Sequence, residues 1–114
     1  MGMIVTSRRD DALIIAMSGK WMGTGEEYKL IETVREELQK GTTTKIVLDL
    51  KLVEWANSYG IGQLAGVMTS TRDTHLKIAM ANVPSVIKKM LDISFLSSMF
   101  TLYPSVDKAL KALS

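Results

Sequence analysis

Two short, nearly continuous apolar runs limit the architectures open to this chain. Ala12–Ser18 reads ALIIAMS and Lys45–Leu50 reads KIVLDL. Runs of this density suit strands that are covered on both faces, which is typical of a largely parallel sheet flanked by helices. A shorter apolar stretch, Met3–Ser7, precedes the first run across a polar turn that includes Asp10 and Asp11. This spacing is too short for a crossover helix and predicts an antiparallel hairpin.

The segment from Thr24 to Lys40 has the pattern of an amphipathic helix. Its apolar residues recur on one face at helical spacing. Thr24, with Glu27 three residues later, matches a capping box, which predicts that the helix begins at Thr24. Lys40 followed by Gly41 is a stop signal, so we expect the helix to end there.

The remainder of the chain continues the alternation of strands and helices. The further predicted elements are a continuation of the second buried strand through Val53–Ala56, a helix from Ser58 to about Arg72 or Asp73, a strand at Leu76–Ala81, a helix with Pro84 at its first position, a short edge strand at Met99–Tyr103 and a last helix capped by Ser105. This order predicts an α/β fold with a four- to five-stranded mixed sheet and about four helices. The length of 114 residues fits one domain.

Composition argues against several classes of function. The chain has no cysteine, which excludes disulfides, thiolate metal sites and cysteine nucleophiles, and its one histidine, His75, cannot form a histidine-rich metal site. The formal net charge of +2 is too small to favour nucleic acid or a membrane surface as a partner. No signal peptide and no apolar run of roughly 20 residues is present. We therefore expect a cytoplasmic location.

The signatures of common catalytic and cofactor sites are missing. Gly60-Ile61-Gly62 opens a helix after a strand but lacks the third glycine of a dinucleotide fingerprint. Ser58 lacks the flanking glycines of a nucleophile elbow, and His75 is expected in a solvated loop beyond the second helix. Asp10 and Asp11 precede a strand, whereas a receiver domain needs paired carboxylates after one. We expect no enzyme, no cofactor and no metal.

The most concentrated feature is the junction between the second buried strand and the next helix, where Asn57-Ser58-Tyr59-Gly60 follows Ala56. On physical grounds alone, either Ser58 or Asn57 is an ordinary helix N-cap, and the glycine permits a tight turn. Trp55, at the end of a buried strand, is predicted to be buried. Trp21, which follows Gly19 in a predicted loop, is predicted to be partly exposed near a binding face.

In their order and spacing, these segments resemble a STAS domain, the domain of anti-sigma factor antagonists, over nearly all of residues 1–114. The family pattern has a strand ending in Asp-Leu, a hydrophobic-x-aromatic stretch, and Asp-Ser-x-Gly at the head of a helix. The similar segments here are Val47–Leu50, Val53 with Trp55, Asn57–Gly60, Leu76–Val83 and Phe100–Leu113. The resemblance implies a single STAS domain.

The resemblance also implies a function in bacterial regulation of transcription. In anti-sigma factor antagonists the serine of this motif is phosphorylated by the partner, an anti-sigma factor that is also a serine kinase, and the unphosphorylated antagonist releases the sigma factor. The matching serine is Ser58. The residues implied to bind the partner are Trp21, Met22, Thr24, Asn57, Ser58, Tyr59 and Gly60. A monomer is the expected state.

Two departures from the family pattern keep other functions open. Asn57 stands where the family has aspartate, and Gly19-Lys20-Trp21 lacks the usual aspartate after glycine. Asn57 favours a constitutive interaction or scaffold module of the same fold, without a phosphoswitch. A STAS module that binds a small ligand is a third hypothesis, although the sequence shows no convergent polar pocket for it.

Overall fold

The computed structural model describes residues 1–114 and has a five-stranded mixed sheet with four α-helices. The elements are β1 (Met3–Arg9), β2 (Ala12–Trp21), α1 (Lys29–Lys40), β3 (Lys45–Ala56), α2 (Ser58–Thr71), β4 (Lys77–Ala81), α3 (Ser85–Ile93), β5 (Leu102–Tyr103) and α4 (Val106–Leu113). The strands lie in the order β1-β2-β3-β4-β5, with β1 antiparallel to β2 and every other pair parallel. The predicted fold class and the opening hairpin are confirmed.

Both faces of the central strands are buried, as the dense apolar runs predicted. Ile15 and Leu48 lie in the large core cluster that α1, α2 and α3 cover. Their neighbours Ile14 and Val47 face the opposite side and pack with Ala109 of α4. Because successive side chains of a strand alternate between faces, a run such as Ile14-Ile15 needs cover on both sides of the sheet.

Helix α1 begins at Lys29, so the prediction that it begins at Thr24 is wrong. The N-cap is Tyr28, whose side chain makes no capping hydrogen bond. Thr24 is exposed in the loop after β2, and Glu27 is buried just before the helix. A buried carboxylate needs several donors, and Glu27 finds them in the backbone of that loop and not at a helix start. The resulting sequence spacing imitates a capping box.

The other helix ends lie close to their predicted positions. Pro84 is the N-cap of α3, one residue before its expected place. Ser105 caps α4 as predicted, because its hydroxyl accepts a hydrogen bond from the Lys108 N–H at 3.1 Å.

The edge strand expected at Met99–Tyr103 contains only the last two residues of that range, because a 3₁₀ turn occupies the segment before it. None of the helices, which have 8 to 14 residues, is long and apolar enough to cross a membrane.

The two tryptophans exchange the environments that the sequence predicted, so both predictions are wrong. Trp21 is 1% exposed and its indole N–H donates to the carbonyl of Ser18 at 2.9 Å, whereas Trp55 is 42% exposed. In the β2–β3 ladder Trp21 lies opposite Ala56, and Lys20 lies opposite Trp55. Trp21 therefore faces the core and Trp55 the other side. The end of β3 also runs past its pairing with β4, which leaves Trp55 uncovered.

The polar residues assigned to turns occupy turns. Asp10 has a positive φ of 53° and, with Asp11, connects β1 to β2. His75 is exposed between α2 and β4, as predicted, and its Nε2 lies 3.1 Å from the carbonyl oxygen of Thr43. This contact ties the loop before β4 to the loop before β3.

Candidate functional site

The Asn57–Gly60 motif lies at the carboxyl end of β3, where the chain turns at once into α2. Asn57 has an extended backbone conformation, and its Oδ1 accepts a hydrogen bond from the Gly60 N–H at 3.1 Å. Of the two residues that the sequence left open as N-cap, Asn57 is therefore the cap. Ser58 is the exposed first residue of the helix, and its hydroxyl is not used in capping.

Asn57 also joins the helix start to the end of β2. Its Nδ2 donates to the carbonyl oxygen of Met22 at 3.2 Å, and its backbone N–H donates to the carbonyl oxygen of Trp21 at 3.1 Å. The side chain acts as an acceptor and as a donor at the same time, which an aspartate carboxylate cannot do. This double role is a structural reason for asparagine at the position.

The loop that Asn57 contacts is held by hydrogen bonds to the side chain of Glu27, which is completely buried. The carboxylate accepts hydrogen bonds from the backbone N–H groups of Met22 at 3.0 Å, Gly23 at 2.7 Å and Gly25 at 2.8 Å. Burial works to raise the pKa of Glu27, but these backbone hydrogen bonds outweigh it and hold that pKa below its ordinary value. The carboxylate is therefore ionised at neutral pH and anchors the loop.

Two close approaches bring the loop and the helix start together. Gly23 has φ of 81°, and a Cβ built on it would lie 3.2 Å from Cγ of the Tyr59 ring. A Cβ on Gly60 would collide with the carbonyl oxygen of Trp21. Both positions therefore need glycine for the two segments to meet. The result is one continuous surface made from the loop after β2 and the first turn of α2.

The residues expected to bind a partner occupy different positions within this surface. Its exposed members are Met22, Thr24, Ser58 and Tyr59. Asn57 is half-buried and Gly60 is buried, so these two residues shape the turn. The Trp21 indole is buried, and Trp21 contributes only its backbone carbonyl, which receives the hydrogen bond from Asn57.

A cleft of about 230 Å³ beside Ser58 was not predicted from the sequence. Its lining includes Trp55, Ser58 and Ile61 on one side and Met90, Ile93 and Ser94 on the other. Ile93 is 76% exposed, and Phe95, two residues later, is 89% exposed with a positive φ of 59°. One feature of the sequence could have indicated the cleft. Ile93 does not fall on the helix face that the buried Ile87 and Leu91 of α3 share, and this spacing indicates an exposed apolar side chain.

The combined geometry suits contact with a protein. The exposed hydroxyl lies at the positive end of the α2 dipole, which tolerates an added anion. Exposed apolar side chains flank it on two sides, and the aromatic residues and methionine among them are residue types that are enriched at protein interfaces. No group of three or more histidine, aspartate or glutamate side chains is placed to hold a metal ion.

A mixed five-stranded sheet with four helices is the architecture that the resemblance to a STAS domain implied. The family model of the STAS domain matches residues 3–109. The chain belongs to this family.

Solved structures of several proteins share the fold. An anti-sigma factor antagonist from Mycobacterium paratuberculosis has a TM-score of 0.82 at 19% identity, over 99% of this chain and 94% of that chain. The Bacillus cell fate determinant SpoIIAA in its phosphorylated form has a TM-score of 0.75 at 13% identity, over 98% and 100%. A sulfate transporter family protein from Wolinella succinogenes has a TM-score of 0.72 at 14% identity, over 90% and 84%. At these identities the likeness establishes the fold.

Proposed function

We propose that this chain is an anti-sigma factor antagonist that is switched off by phosphorylation at Ser58. Unphosphorylated, it binds an anti-sigma factor with serine kinase activity and so regulates sigma-factor-dependent transcription. The observation that carries the proposal is that Ser58 is exposed at the head of α2 while Asn57 makes the cap. The hydroxyl is thus available to a kinase without loss of the cap. In this proposal residues 1–114 act as one cytoplasmic, monomeric binding domain without catalytic activity.

The surface that would meet the kinase, the partner face, is wider than the motif. It consists of Met22, Thr24, Ser58 and Tyr59 together with Trp55, Ile93 and Phe95. The apolar members supply contact area and the hydroxyl lies among them. Trp55 takes the role that the sequence had suggested for Trp21, since the buried Trp21 indole cannot reach a partner.

The physical basis of the switch is the cost of removing water from a charged group. A phosphate adds about −1.5 to −2 charges at neutral pH. The α2 N-terminus stabilises that charge within the domain, but an interface with apolar side chains such as Trp55 and Ile93 cannot replace its water. A buried, unpaired charge costs roughly 2–5 kcal/mol, or about a 30- to 4,000-fold loss of affinity. No change of fold is needed.

The direct test is incubation with the candidate anti-sigma kinase and ATP, followed by mass spectrometry of the peptides. We expect one phosphate, at Ser58, and none on a Ser58→Ala variant. Ser85→Ala is the matched control, because Ser85 is likewise the exposed first residue of a helix. Phosphate on any other residue, or its absence from the wild type, would overturn the proposal.

A second candidate is a constitutive interaction module that binds its partner without being phosphorylated. The hydrogen bond from Asn57 to Met22 favours it, because the asparagine makes a structural contact that an aspartate would lose. In this case the chain would bind the anti-sigma factor and its mass would stay unchanged after incubation with ATP. The same experiment therefore separates the two candidates.

A further inference from the structure

Glu27 is a fully buried carboxylate with no place in the phosphoswitch described above. Its two oxygens accept three hydrogen bonds, all from backbone N–H groups of the loop after β2. That loop contains Gly23 and Gly25, has no regular secondary structure and separates β2 from α1. The loop has two glycines and no ladder to hold it, and the Glu27 carboxylate accepts from three of its backbone N–H groups, those of Met22, Gly23 and Gly25.

The loop in turn carries contacts that reach the residues around Ser58. The carbonyl oxygen of Met22 accepts from Asn57 Nδ2, and the Asn57 side chain caps α2 at Gly60. Gly23 lies against the ring of Tyr59, the residue after Ser58. A continuous series of contacts thus runs from the Glu27 carboxylate through the loop to both neighbours of Ser58.

We infer that Glu27 is a positioning residue for phosphorylation of Ser58: its buried carboxylate holds the Met22–Gly25 loop against Asn57 and Tyr59 in the arrangement that the kinase recognises. Glu27 itself is inaccessible and touches neither the hydroxyl nor the kinase. Its effect on the partner face is therefore exerted through the loop. This inference rests on the proposed function of Ser58.

The test is the steady-state phosphorylation of the full chain by the anti-sigma kinase at saturating ATP, with KM and kcat measured separately. Glu27→Gln replaces an acceptor oxygen with an amide N–H group that faces backbone donors, so at least one loop hydrogen bond is lost. We expect KM for the chain to rise about tenfold, the scale of one charge-assisted hydrogen bond, with kcat changed by less than about twofold.

Glu37→Gln is the matched control. Glu37 is also a buried carboxylate with three hydrogen-bonding partners, but it binds Arg8, Lys40 and Thr43 near the beginning of β3, at the opposite end from Ser58. The control variant should lose thermal stability and keep the wild-type KM. Both variants are assayed at a temperature where circular dichroism shows them folded.

A second variant covers the case in which Glu27→Gln does not fold. Gly23→Ala leaves Glu27 in place but adds a methyl group against the Tyr59 ring at a positive φ, and should raise KM in the same way.

An unchanged KM in a folded Glu27→Gln or Gly23→Ala variant overturns the inference about Glu27 and leaves the proposed function standing. Equal increases in KM for the Glu27 and Glu37 variants also overturn it, because they indicate a general loss of stability. Absence of phosphate from wild-type Ser58 overturns the proposed function and the inference with it.

Discussion

The Asn57 side-chain amide donates a hydrogen bond to the carbonyl oxygen of Met22 at 3.2 Å, and this bond ties the start of α2 to the loop after β2. The same side chain accepts from the Gly60 N–H through its other terminal atom. Asparagine therefore serves this position in a way that the aspartate of the family pattern cannot. The bond from Gly60 is the capping role of Asn57. The bond to Met22 is a second, bridging role, which a carboxylate cannot fill because it has no donor.

Substitutions at Asn57 should separate those two roles. Asn57→Asp keeps the acceptor for Gly60 but places a carboxylate against the carbonyl of Met22, and we expect a loss of about 1 kcal/mol in the free energy of unfolding. Asn57→Ala removes both bonds and should cost about 2 kcal/mol. Urea denaturation measures both values. If Asn57→Asp is as stable as the wild type, or less stable than Asn57→Ala, the hydrogen bond between Asn57 and Met22 does not contribute as described.

The exposure of the two tryptophans can be checked by fluorescence quenching. Iodide should quench Trp55 in a Trp21→Phe variant and leave Trp21 nearly unquenched in a Trp55→Phe variant, because their exposed fractions are 42% and 1%. Addition of the anti-sigma factor should then protect Trp55, since we place it on the partner face. Equal quenching of the two variants would show that the assignment of faces in the β2–β3 ladder is wrong.

The cleft beside Ser58 predicts a contribution of Ile93 to binding. Ile93→Ser removes an apolar side chain from the partner face and should weaken binding of the anti-sigma factor by about tenfold, with stability within about 0.5 kcal/mol of the wild type. Val5→Ser on β1 is the control, because Val5 is 67% exposed, against 76% for Ile93, and is remote from the cleft. Surface plasmon resonance should detect a loss of affinity for Ile93→Ser and none for Val5→Ser. Equal affinities of the two variants would show that the cleft is not part of the interface.

The buried Glu37 makes the free energy of unfolding depend on pH in the acid range. Burial works to raise its pKa, but hydrogen bonds from Thr43, Arg8 and Lys40 and the charge of Arg8 lower that pKa to about 2 from 4.5. Because the folded-state pKa is depressed, this contribution is fully present above about pH 5 and is lost as the pH falls towards 2. It amounts to roughly 3 kcal/mol. Denaturation at pH 7 and pH 3 should show a smaller difference for Glu37→Gln than for the wild type; equal differences would contradict the assignment.

The order of elements was predictable because it rests on short-range patterns. The apolar runs at Ala12–Ser18 and Lys45–Leu50 and the cap at Ser105 depend on a few neighbouring residues, and all three lie in the predicted elements. The start of α1 was not predictable, since Glu27 stands at capping-box spacing from Thr24 but satisfies its carboxylate with loop amides. Tertiary contacts decided that position.

The surface around Ser58 was only partly predictable for a related reason. Trp21 is buried because β2 continues past its predicted end at Ser18, which keeps Trp21 on the same face as Ile15 and Met17. Trp55 is exposed because two irregularities in the β2–β3 ladder shift the alternation of β3, and because β3 extends past β4, which nothing in the strand sequence indicates. The motif located Ser58 at the head of α2, but the apolar side of the cleft comes from Ile93 on α3, which is far from Ser58 in sequence. Only the fold brings those segments together.

The most direct test of the phosphoswitch is the affinity of the anti-sigma factor for two forms of this chain, measured by isothermal titration calorimetry. Wild-type chain and Ser58→Asp are compared, with Ser58→Ala as the neutral control that should bind like the wild type and lose little stability, because Asn57 makes the cap. Ser58→Asp should remain folded, since acid suits a helix N-terminus, and should bind about 30- to 4,000-fold more weakly. Binding of Ser58→Asp as tight as that of the wild type would contradict the switch.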